Sequence, residues 1–445
     1  MLAWCSTFTP VRAAGGPRFR GAFGLRVQRV ARIDQRQYDI AVWTAALGRE
    51  VHVRLLLPTD YDGSADRLPV LYLFHGTSGR ASDWVELGDA EKATAGQRLI
   101  VVMPDAGFDG DGGGWFTNWV DTKTVLGLSQ WERFHVDQLI PWVDANLRTV
   151  AARAGRAVAG LSQGGFGSMT YAARHPDLFV SAASFSGAPD IDYSPPVAVG
   201  ASAIIGATAF GLDGVEPDAM FGSRATNEIN WQGHDPADLV DNLGNTDLWL
   251  FTATGAPGPY DNAPNPAASG IELATHGSTE GFVQRAQQRG VPFHLVDYTY
   301  GTHSWPYWAR DLAEYLPRAM ETFAQSPSAP RRVSYESIDT TWSQWGWSVA
   351  LDRSTPQQFS ALTDATSTGF TLQGNGTGVV TTPAFYKPRS VVTVTIGDTP
   401  PKRTRADSAG RLKLTVPLGP DLPSPAIIGT PIIPGPVVTV TMGRR

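Results

Sequence analysis

The chain has 445 residues, of which 42% are hydrophobic and 18% are charged, and its formal net charge is −6. This length exceeds one ordinary hydrophobic core and predicts two or three domains, while the composition is that of a globular rather than a disordered protein. The mildly acidic balance argues against nucleic acid as a partner, because a binding face needs an excess of basic residues. The single cysteine, Cys5, excludes an internal disulfide and a cysteine-based metal site.

The N-terminal residues 1–36 are rich in arginine and glycine and show no periodic pattern, which predicts a poorly ordered arm. They lack the continuous apolar core of a signal peptide. No apolar run in the sequence reaches the ~20 residues needed to cross a bilayer, so we expect no transmembrane segment.

Residues 37–325 alternate short apolar runs with stretches of helical spacing. The strings YDIAVWTAAL and REVHVRLLLP predict two neighbouring strands joined by a turn at Gly48. The later runs are apolar on both faces, as in strands buried in a parallel sheet, and they cover 70–74, 99–103, 157–161, 179–185, 247–253 and 293–298. Helical spacing covers 129–147, 164–176 and 304–324. The alternation predicts an α/β catalytic domain with a mostly parallel sheet.

The C-terminal part changes character after a linker at 326–332. Residues 333–445 contain short β-type runs broken by Gly, Pro, Asn and Asp, which predicts a small β-sandwich-like domain. Within TTWSQWGWSV, Trp345 and Trp347 fall on one face of a predicted strand. We expect them to pack in the core or at a domain interface; a platform for carbohydrate is the alternative.

The most specific motif is Gly160-Leu161-Ser162-Gln163-Gly164, a G-x-S-x-G pattern between an apolar run and a helical stretch. Small residues on both sides allow a sharp turn that lifts the serine hydroxyl above the sheet. The helix that follows offers unpaired N–H groups to a developing oxyanion. A glycine-rich turn with a capping serine is the structural alternative, but the strand-turn-helix context favours Ser162 as a nucleophile.

A serine nucleophile needs a base, and on this kind of fold the order is serine, acid, histidine. His303 in GTHSWPYW follows the last apolar run and precedes a helical stretch, where the base is expected. Structural or surface roles are expected for the histidines at less suitable positions, namely His52, His135, His175, His234, His276 and His294.

The acid should lie between the apolar run at 247–253 and His303. The candidates are Asp261, Glu272, Glu280 and Asp297. Asp297 lies inside a predicted strand and too close to His303, and the pattern alone leaves Asp261 and Glu272 open.

Two backbone N–H groups are the expected oxyanion donors. One belongs to Gln163, directly after the nucleophile, and the other to Thr77, in the loop HGTSG after the run at 70–74. Gly76 allows the tight turn in that loop, and His75 is expected to position it rather than to act as a base.

The strings VAGLSQGGFGSM, HPDLF and GTHSWPYW resemble the esterase D-like α/β-hydrolases, and most closely the bacterial mycolyltransferases of the antigen-85 type. The resemblance covers residues 38–325 and implies an α/β-hydrolase fold with a Ser162–Glu272–His303 triad. It favours Glu272 because the acid of that family is a glutamate about thirty residues before the histidine in a similar loop. It also implies oxyanion donors at Thr77 and Gln163, and a sugar- or alcohol-facing role for Trp305.

The sequence also departs from that family. Thr77-Ser78 stands where the mycolyltransferases have Leu-Arg, their disulfide is absent, and the segment DGDGGGWFTNWV, which includes Trp115, is a distinct substrate-side loop. The C-terminal β domain lies outside the family pattern. We expect Gly76, Ser78, Trp115 and Trp305 to bind substrate, without a prediction of mycolate or trehalose specificity.

The function predicted from these residues is a serine esterase or acyltransferase that acts on small-molecule, lipid or sugar esters through an acyl-enzyme, released by water or an alcohol. The alternative is a catalytically silent α/β-hydrolase-fold binding protein of the cell envelope. No cofactor and no metal are expected for this mechanism. Asp109 and Asp111 have the spacing of a calcium-binding loop, but Val120 stands at the twelfth position, where such a loop has glutamate. Asn375-Gly376-Thr377 matches a glycosylation sequon. We expect a secreted or cell-envelope location, with the cytoplasm as the alternative, and a possible carbohydrate contact through the C-terminal domain.

Overall fold

The computed structural model of the chain describes residues 16–108, 112–355, 357–421, 428–429 and 431–443. A nine-stranded sheet has the order β1-β2-β3-β5-β4-β6-β7-β8-β9. Its strands are β1 Leu25–Arg32, β2 Gln37–Thr44, β3 Arg49–Leu56, β4 Val70–Phe74, β5 Ile100–Pro104, β6 Arg156–Leu161, β7 Ser181–Phe185, β8 Asp247–Ala253 and β9 His294–Tyr298. The first three strands and β5 pair antiparallel, and the sheet is parallel from β5 to β9.

Helices connect these strands and cover the sheet. The α-helices are α1 Asp83–Glu86, α2 Ala90–Ala93, α3 Ile140–Asn146, α4 Gln163–Arg174, α5 Pro195–Thr208, α6 Arg224–Gln232, α7 Pro266–Arg289 and α8 Trp305–Gln325. Two π-helical segments, Arg133–Leu139 and Ala209–Asp213, adjoin α3 and α5. Shorter 3-10 turns cover Tyr61–Gly63, Arg153–Gly155 and Val240–Leu243.

Alternation along the strands divides the core between the two faces of the sheet. In β4, Tyr72 packs in one cluster with side chains of α4 and α7, while Leu71 and Leu73 pack in the other with side chains of α8. Since β4 is buried along its whole length, its unbroken apolar run is what a central parallel strand requires.

The prediction of a disordered arm is wrong for the strand β1. Leu25–Arg32 pairs with β2 as the edge of the sheet, and Phe19 before it stacks on Trp142. Most of β1 is half-buried or exposed, so its sequence lacks the apolar alternation that would have revealed it. Residues 1–15 lie outside the described part of the chain.

The C-terminal part contains two further sheets, and all of their paired strands are antiparallel. One has the order β10-β13-β14-β19-β16-β17 and the other β11-β12-β15-β18. Their strands are β10 Val333–Ser337, β11 Thr341–Gln344, β12 Trp347–Asp352, β13 Ser360–Thr366, β14 Gly369–Gln373, β15 Gly376–Thr381, β16 Val391–Ile396, β17 Lys402–Arg405, β18 Lys413–Gly419 and β19 Val437–Gly443. The all-β character predicted beyond the helix α8 is therefore present.

The β part is bonded to the end of α4. The Arg174 carbonyl accepts hydrogen bonds from Tyr335 Oη at 2.7 Å and from Gln344 Nε2 at 2.9 Å. The buried Arg174 guanidinium pairs with Glu132 at 2.7 Å and with Asp339 of the β part at 3.1 Å. The helix that follows the predicted nucleophile is thus fixed at its far end by the C-terminal part.

The two tryptophans of the predicted platform do not share a strand face. Trp347 is buried in the core of the β part. Trp345 lies in the turn between β11 and β12, where its N–H donates to Asp177 and its ring receives the Arg153 guanidinium at 5.0 Å. This arrangement favours the core and interface interpretation, and a carbohydrate contact stays a prediction.

The structure also describes the predicted glycosylation sequon and one long apolar helical segment. Asn375 of the sequon is fully buried, and its side-chain amide donates to Gln358. Within the described residues, one helical segment, Pro195–Asp213, is long and apolar enough to cross a membrane by length and composition alone. This segment is an exception to the expectation from sequence. Helices of soluble proteins can have the same length and apolar composition.

Candidate active site

Ser162 lies between the end of β6 and the start of α4, with φ 51° and ψ −122°. A serine with positive φ is strained, and close packing holds it there. A Cβ on Gly160 would meet the backbone of Gly164, and a Cβ on Gly164 would meet the His75 carbonyl. The glycines of the G-x-S-x-G motif are therefore required by the tight contact of strand, turn and helix.

The structure brings Ser162, His303 and Glu272 into one hydrogen-bonded chain. His303 Nε2 lies 2.8 Å from Ser162 Oγ, and His303 Nδ1 lies 2.9 Å from Glu272 Oε2. The side chains of His303 and Glu272 are 7% and 1% exposed, so their interaction is shielded from water. A nucleophile, a base and an orienting acid within hydrogen-bond distance are the arrangement that activates a serine hydroxyl.

Glu272 lies in the helix α7, so the expectation that the acid occupies a loop is wrong. Its Oε1 accepts hydrogen bonds from Ser186 Oγ at 2.8 Å and from Ala253 N at 2.9 Å. These two donors leave Oε2 directed at His303.

The other acid candidates lie elsewhere. Asp261 accepts hydrogen bonds from Thr302 Oγ1 and Tyr307 Oη, each at 2.6 Å, and so holds the loop of His303 rather than its imidazole ring. Glu280 is largely exposed on α7, and Asp297 pairs with His276 at 3.2 Å. The geometry thus separates Glu272 from the alternatives that the sequence left open.

The predicted oxyanion donors adjoin Ser162. Gln163 is the first residue of α4, and its Nε2 donates to Thr77 Oγ1 at 3.3 Å, which links the two loops. A Cβ on Gly76 would come within 3.1 Å of Ser162 Cβ, so the Thr77 loop passes directly over the serine. In the described part of the chain, neither the Thr77 N–H nor the Gln163 N–H donates to another protein group.

His75 is fully enclosed and holds this loop. Its Nδ1–H donates to the Gly76 carbonyl at 2.7 Å, and its Nε2 accepts from Ala106 N at 2.8 Å. Burial lowers the pKa of the imidazole, so it stays neutral. The positioning role predicted for His75 fits these contacts.

The remaining histidines lie away from Ser162. His52 pairs with Asp39, and His175 pairs with Glu132. His135 and His234 are buried, and burial lowers their pKa values to about 3 and about 4.

A cavity of about 970 Å³ opens above Ser162 and His303. All four residues predicted to bind substrate line it, namely Gly76, Ser78, Trp115 and Trp305. Trp305 packs edge-on against Trp84 and Trp308, each at 5.4 Å between ring centroids, and Trp308 meets the His303 ring edge-on at 4.9 Å.

The apolar walls of this cavity were missed from the sequence. They come from α5 and α7, which face each other across the opening, and include Val197, Ala201, Ile204, Ile205, Ile271 and Ala274. Ile204 is 59% exposed and Ile271 is 50% exposed, so the mouth is itself apolar. The run from 197 to 205, in which Ser202 is the single polar residue, was the available signal. The calcium-loop residues Asp109 and Asp111 lie outside the described residues.

Residues 44–319 match the Esterase family model, described as "Putative esterase". This match covers more than half of the chain and includes strands β3 to β9, the helices between them and the Ser162 site. The chain belongs to this esterase family.

Among known proteins, this esterase is 33% identical over 282 residues to "Esterase Rv1288" of Mycobacterium tuberculosis, which covers 61% of this chain and 56% of that protein. The chain thus spans little more than half the length of the first curated relatives it matches. It is 28% identical over 300 residues to "Diacylglycerol acyltransferase/mycolyltransferase Ag85B" of Mycobacterium avium, covering 65% of this chain and 84% of that one.

Solved structures agree on the fold. The crystal structure of Mycobacterium tuberculosis MPT51 matches with a TM-score of 0.51 and 27% identity, over 65% of this chain and 99% of that chain. An S-formylglutathione hydrolase from Agrobacterium tumefaciens matches with a TM-score of 0.50 and 16% identity, over 67% and 99% of the two chains. These matches establish an α/β-hydrolase fold, and the family supports ester hydrolysis or acyl transfer as the activity.

Proposed function

We propose that this esterase acts through a Ser162–His303–Glu272 triad and an acyl-enzyme on Ser162. The observation that carries the proposal is the continuous chain of contacts, 2.8 Å from Ser162 Oγ to His303 Nε2 and 2.9 Å from His303 Nδ1 to Glu272 Oε2. The cavity opens directly above this chain, so an ester carbonyl has access to the serine.

In the first step His303 Nε2 takes the proton of Ser162 as its Oγ attacks the ester carbonyl. Glu272 accepts the Nδ1–H of His303, which keeps Nε2 free as the base and stabilises the imidazolium that forms. His303 then gives the proton to the leaving alkoxide. Water or an alcohol, deprotonated by the same Nε2, opens the acyl-enzyme.

The Thr77 and Gln163 N–H groups would hold the oxyanion of each tetrahedral intermediate. Both lie next to Ser162, and within the described residues neither is used by another protein group. Loss of one such donor typically costs about 3 kcal/mol of transition-state stabilisation.

The acyl group would lie between α5 and α7. Most of their side chains that line the cavity are aliphatic, and the exposed Ile204 and Ile271 extend this surface to the mouth. Each methylene buried there contributes about 0.8 kcal/mol, or roughly fourfold in kcat/KM. We therefore infer a preference for esters with extended acyl chains. The relative named as an acyltransferase supports an alcohol acceptor as well as water.

The test is a panel of p-nitrophenyl esters of increasing acyl length, with and without glycerol or trehalose, with the products identified by mass spectrometry. We expect kcat/KM to rise with acyl length, and Ser162→Ala to lose both turnover and labelling by a fluorophosphonate. His303→Gln should lose activity while His276→Gln, a histidine of α7 that pairs with Asp297, keeps it. Unchanged turnover in Ser162→Ala would refute the proposal.

Products also separate the two reaction outcomes. Acylated glycerol or trehalose would identify a transferase, and free acid alone a hydrolase. Folded protein that neither turns over any ester nor reacts with the probe would instead support the catalytically silent binding protein. A secreted or envelope location is also a proposal, supported by similarity to proteins named antigens, and cell fractionation tests it.

A further inference from the structure

A group of buried carboxylates lies beside the cavity and combines the segment that joins β7 to α5 with the segment that follows α6. Asp190, Asp192 and Asp235 are fully buried, and each offers one oxygen within 4.8 Å of the others. The Ser162–His303–Glu272 triad does not use these residues.

The oxygens of this cluster have few donors. Asp235 accepts from the N–H groups of Ile191 at 2.8 Å and Ala237 at 2.9 Å. In the described part of the chain, Asp190 Oδ2 and both oxygens of Asp192 have no hydrogen-bond donor. A buried carboxylate oxygen without a donor is costly, so the hydrogen bonds of the described residues leave the cluster incompletely compensated.

A fourth carboxylate supplies an independent observation. Asp238 is 5% exposed, and its Oδ1 accepts from Arg285 Nη1 at 2.6 Å. Its Oδ2 is buried without a donor among the described residues, and the neighbouring Asp192 is a cause of its raised pKa, after burial. Asp238 therefore adds a further buried carboxylate beside Arg285, with one oxygen that has no donor among the described residues.

The cations around the cluster are too few for its charge. Arg285 pairs with Asp238 at 2.6 Å, and its guanidinium group also lies 4.0 Å from Asp190. Arg224 lies 3.6 Å from Asp192, but it also pairs with Glu228 at 2.9 Å. Carboxylates outnumber guanidinium groups, and the excess lies in the interior, where charge is poorly solvated.

We propose that Asp190, Asp192 and Asp235, with Asp238, bind a calcium ion. All the donors are carboxylate oxygens, which hard divalent cations prefer over nitrogen or sulfur ligands. Calcium takes oxygens at 2.3–2.6 Å, so two ligands on opposite sides of one ion are about 5 Å apart. One oxygen from each of the three aspartates lies within 4.8 Å of the other two, which is close enough for them to share one ion.

The ion would tie the segment after β7 to the helix α7. Ser186 at the start of this segment donates to Glu272, and Asp190 exchanges hydrogen bonds with Ser278 of α7 at 3.0 and 2.7 Å. The apolar helix α5 begins directly after Asp192 and Tyr193. Calcium would thus brace the cavity wall, a structural role that does not depend on the proposed ester chemistry.

Protons are the competing way to neutralise the cluster. Burial, with repulsion from Asp192, raises the pKa of Asp190 to about 7. Burial and the other carboxylates also raise the pKa of Asp235. Calcium binding at neutral pH distinguishes neutralisation by calcium from neutralisation by protons, because the ion would not stabilise a cluster that is already protonated.

The test uses the full chain, treated with EDTA and dialysed, then heated with CaCl2, MgCl2 or no metal at pH 7.5. At a hundredfold excess over the dissociation constant, calcium should raise the melting temperature by roughly 4 °C or more. About one calcium ion per chain should remain after dialysis against micromolar calcium, as measured by mass spectrometry of the metal. Magnesium requires a regular shell of six ligands and should raise the melting temperature less than calcium does.

The variants locate the effect. Asp192→Asn should lose the calcium-dependent rise without a lower melting temperature in EDTA, because it relieves repulsion in the metal-free protein. Asp241→Asn, whose partner Arg289 lies at the surface, should keep the rise. If Asp192→Asn fails to fold, Asp238→Asn and the metal content of the wild-type chain decide. No calcium-dependent rise, an equal rise with magnesium, or an undiminished rise in both cluster variants would overturn the proposal.

Discussion

Replacing Glu272 by glutamine changes one charged oxygen into an amide without changing the size of the side chain. In the wild-type protein, Oε1 accepts from Ser186 Oγ and Ala253 N, while Oε2 accepts from His303 Nδ1. The glutamine carbonyl should keep the two donors at Oε1, which turns its NH2 group toward His303. Because two N–H groups cannot face each other, Nδ1 must then lose its proton and Nε2 must carry it.

This tautomer cannot take the proton of Ser162, so the loss exceeds that of one hydrogen bond. A triad in which the acid is converted to its amide loses about 10⁴-fold in kcat, or about 5.5 kcal/mol at 1.36 kcal/mol per factor of ten. Glu272→Ala, which leaves the imidazole free to choose its tautomer, should lose less than Glu272→Gln.

The assay is kcat and kcat/KM for one p-nitrophenyl ester, with thermal melting to confirm folding. Glu280→Gln, an exposed glutamate two helical turns further along α7, is the matched control and should keep wild-type kcat. Asp261→Asn should lose less than Glu272→Gln, since Asp261 contacts Thr302 and Tyr307 rather than the imidazole. A loss of less than tenfold in folded Glu272→Gln would refute the assignment of the acid.

Further predictions concern stability and specificity. Arg174→Ala should lower the free energy of unfolding by about 3–5 kcal/mol in urea titrations, because it leaves the buried Glu132 carboxylate without its guanidinium partner. Gly164→Ala should abolish soluble expression or activity, whereas Gly63→Ala, at an exposed position where the added Cβ meets nothing, should be tolerated in the same assays. Burial raises the pKa of Asp311 to about 7 in the folded protein. Because the unfolded chain loses this proton at lower pH, the free energy of unfolding falls as the pH rises from about 4 to about 7. Asp311→Asn should therefore raise the melting temperature at pH 8 and not at pH 4.5. Ile204→Asp should flatten the dependence of kcat/KM on acyl length, with short esters unaffected.

The sequence predicted the parallel strands and the serine turn because both have strong local causes. The strand β4 is apolar on both faces since it is buried between two layers, and the Ser162 turn needs glycines at fixed positions. His303 could be chosen by chain order and by its place after the last strand.

Helices α5 and α7 could not be predicted in the same way. The helix α7 contains Gly270, Gly277 and Gly281, which weaken helical propensity, and α5 has no polar face to set an amphipathic pattern. The choice between Asp261 and Glu272 depended on which side chain turns toward His303, which spacing does not reveal. The carboxylate cluster combines residues from two distant segments and has no local signature.

The attachment of the β part to Arg174 has a consequence for engineering. A chimera that exchanges residues beyond Gln325 between relatives must carry Tyr335, Asp339 and Gln344 or their equivalents, since these side chains hold the end of α4. A chimera that lacks them would leave the Arg174 carbonyl without its two donors and the Arg174 guanidinium without Asp339. Arg174 lies twelve residues after Ser162, at the end of α4. The all-β part would then govern the yield of active enzyme through its contacts with the end of α4.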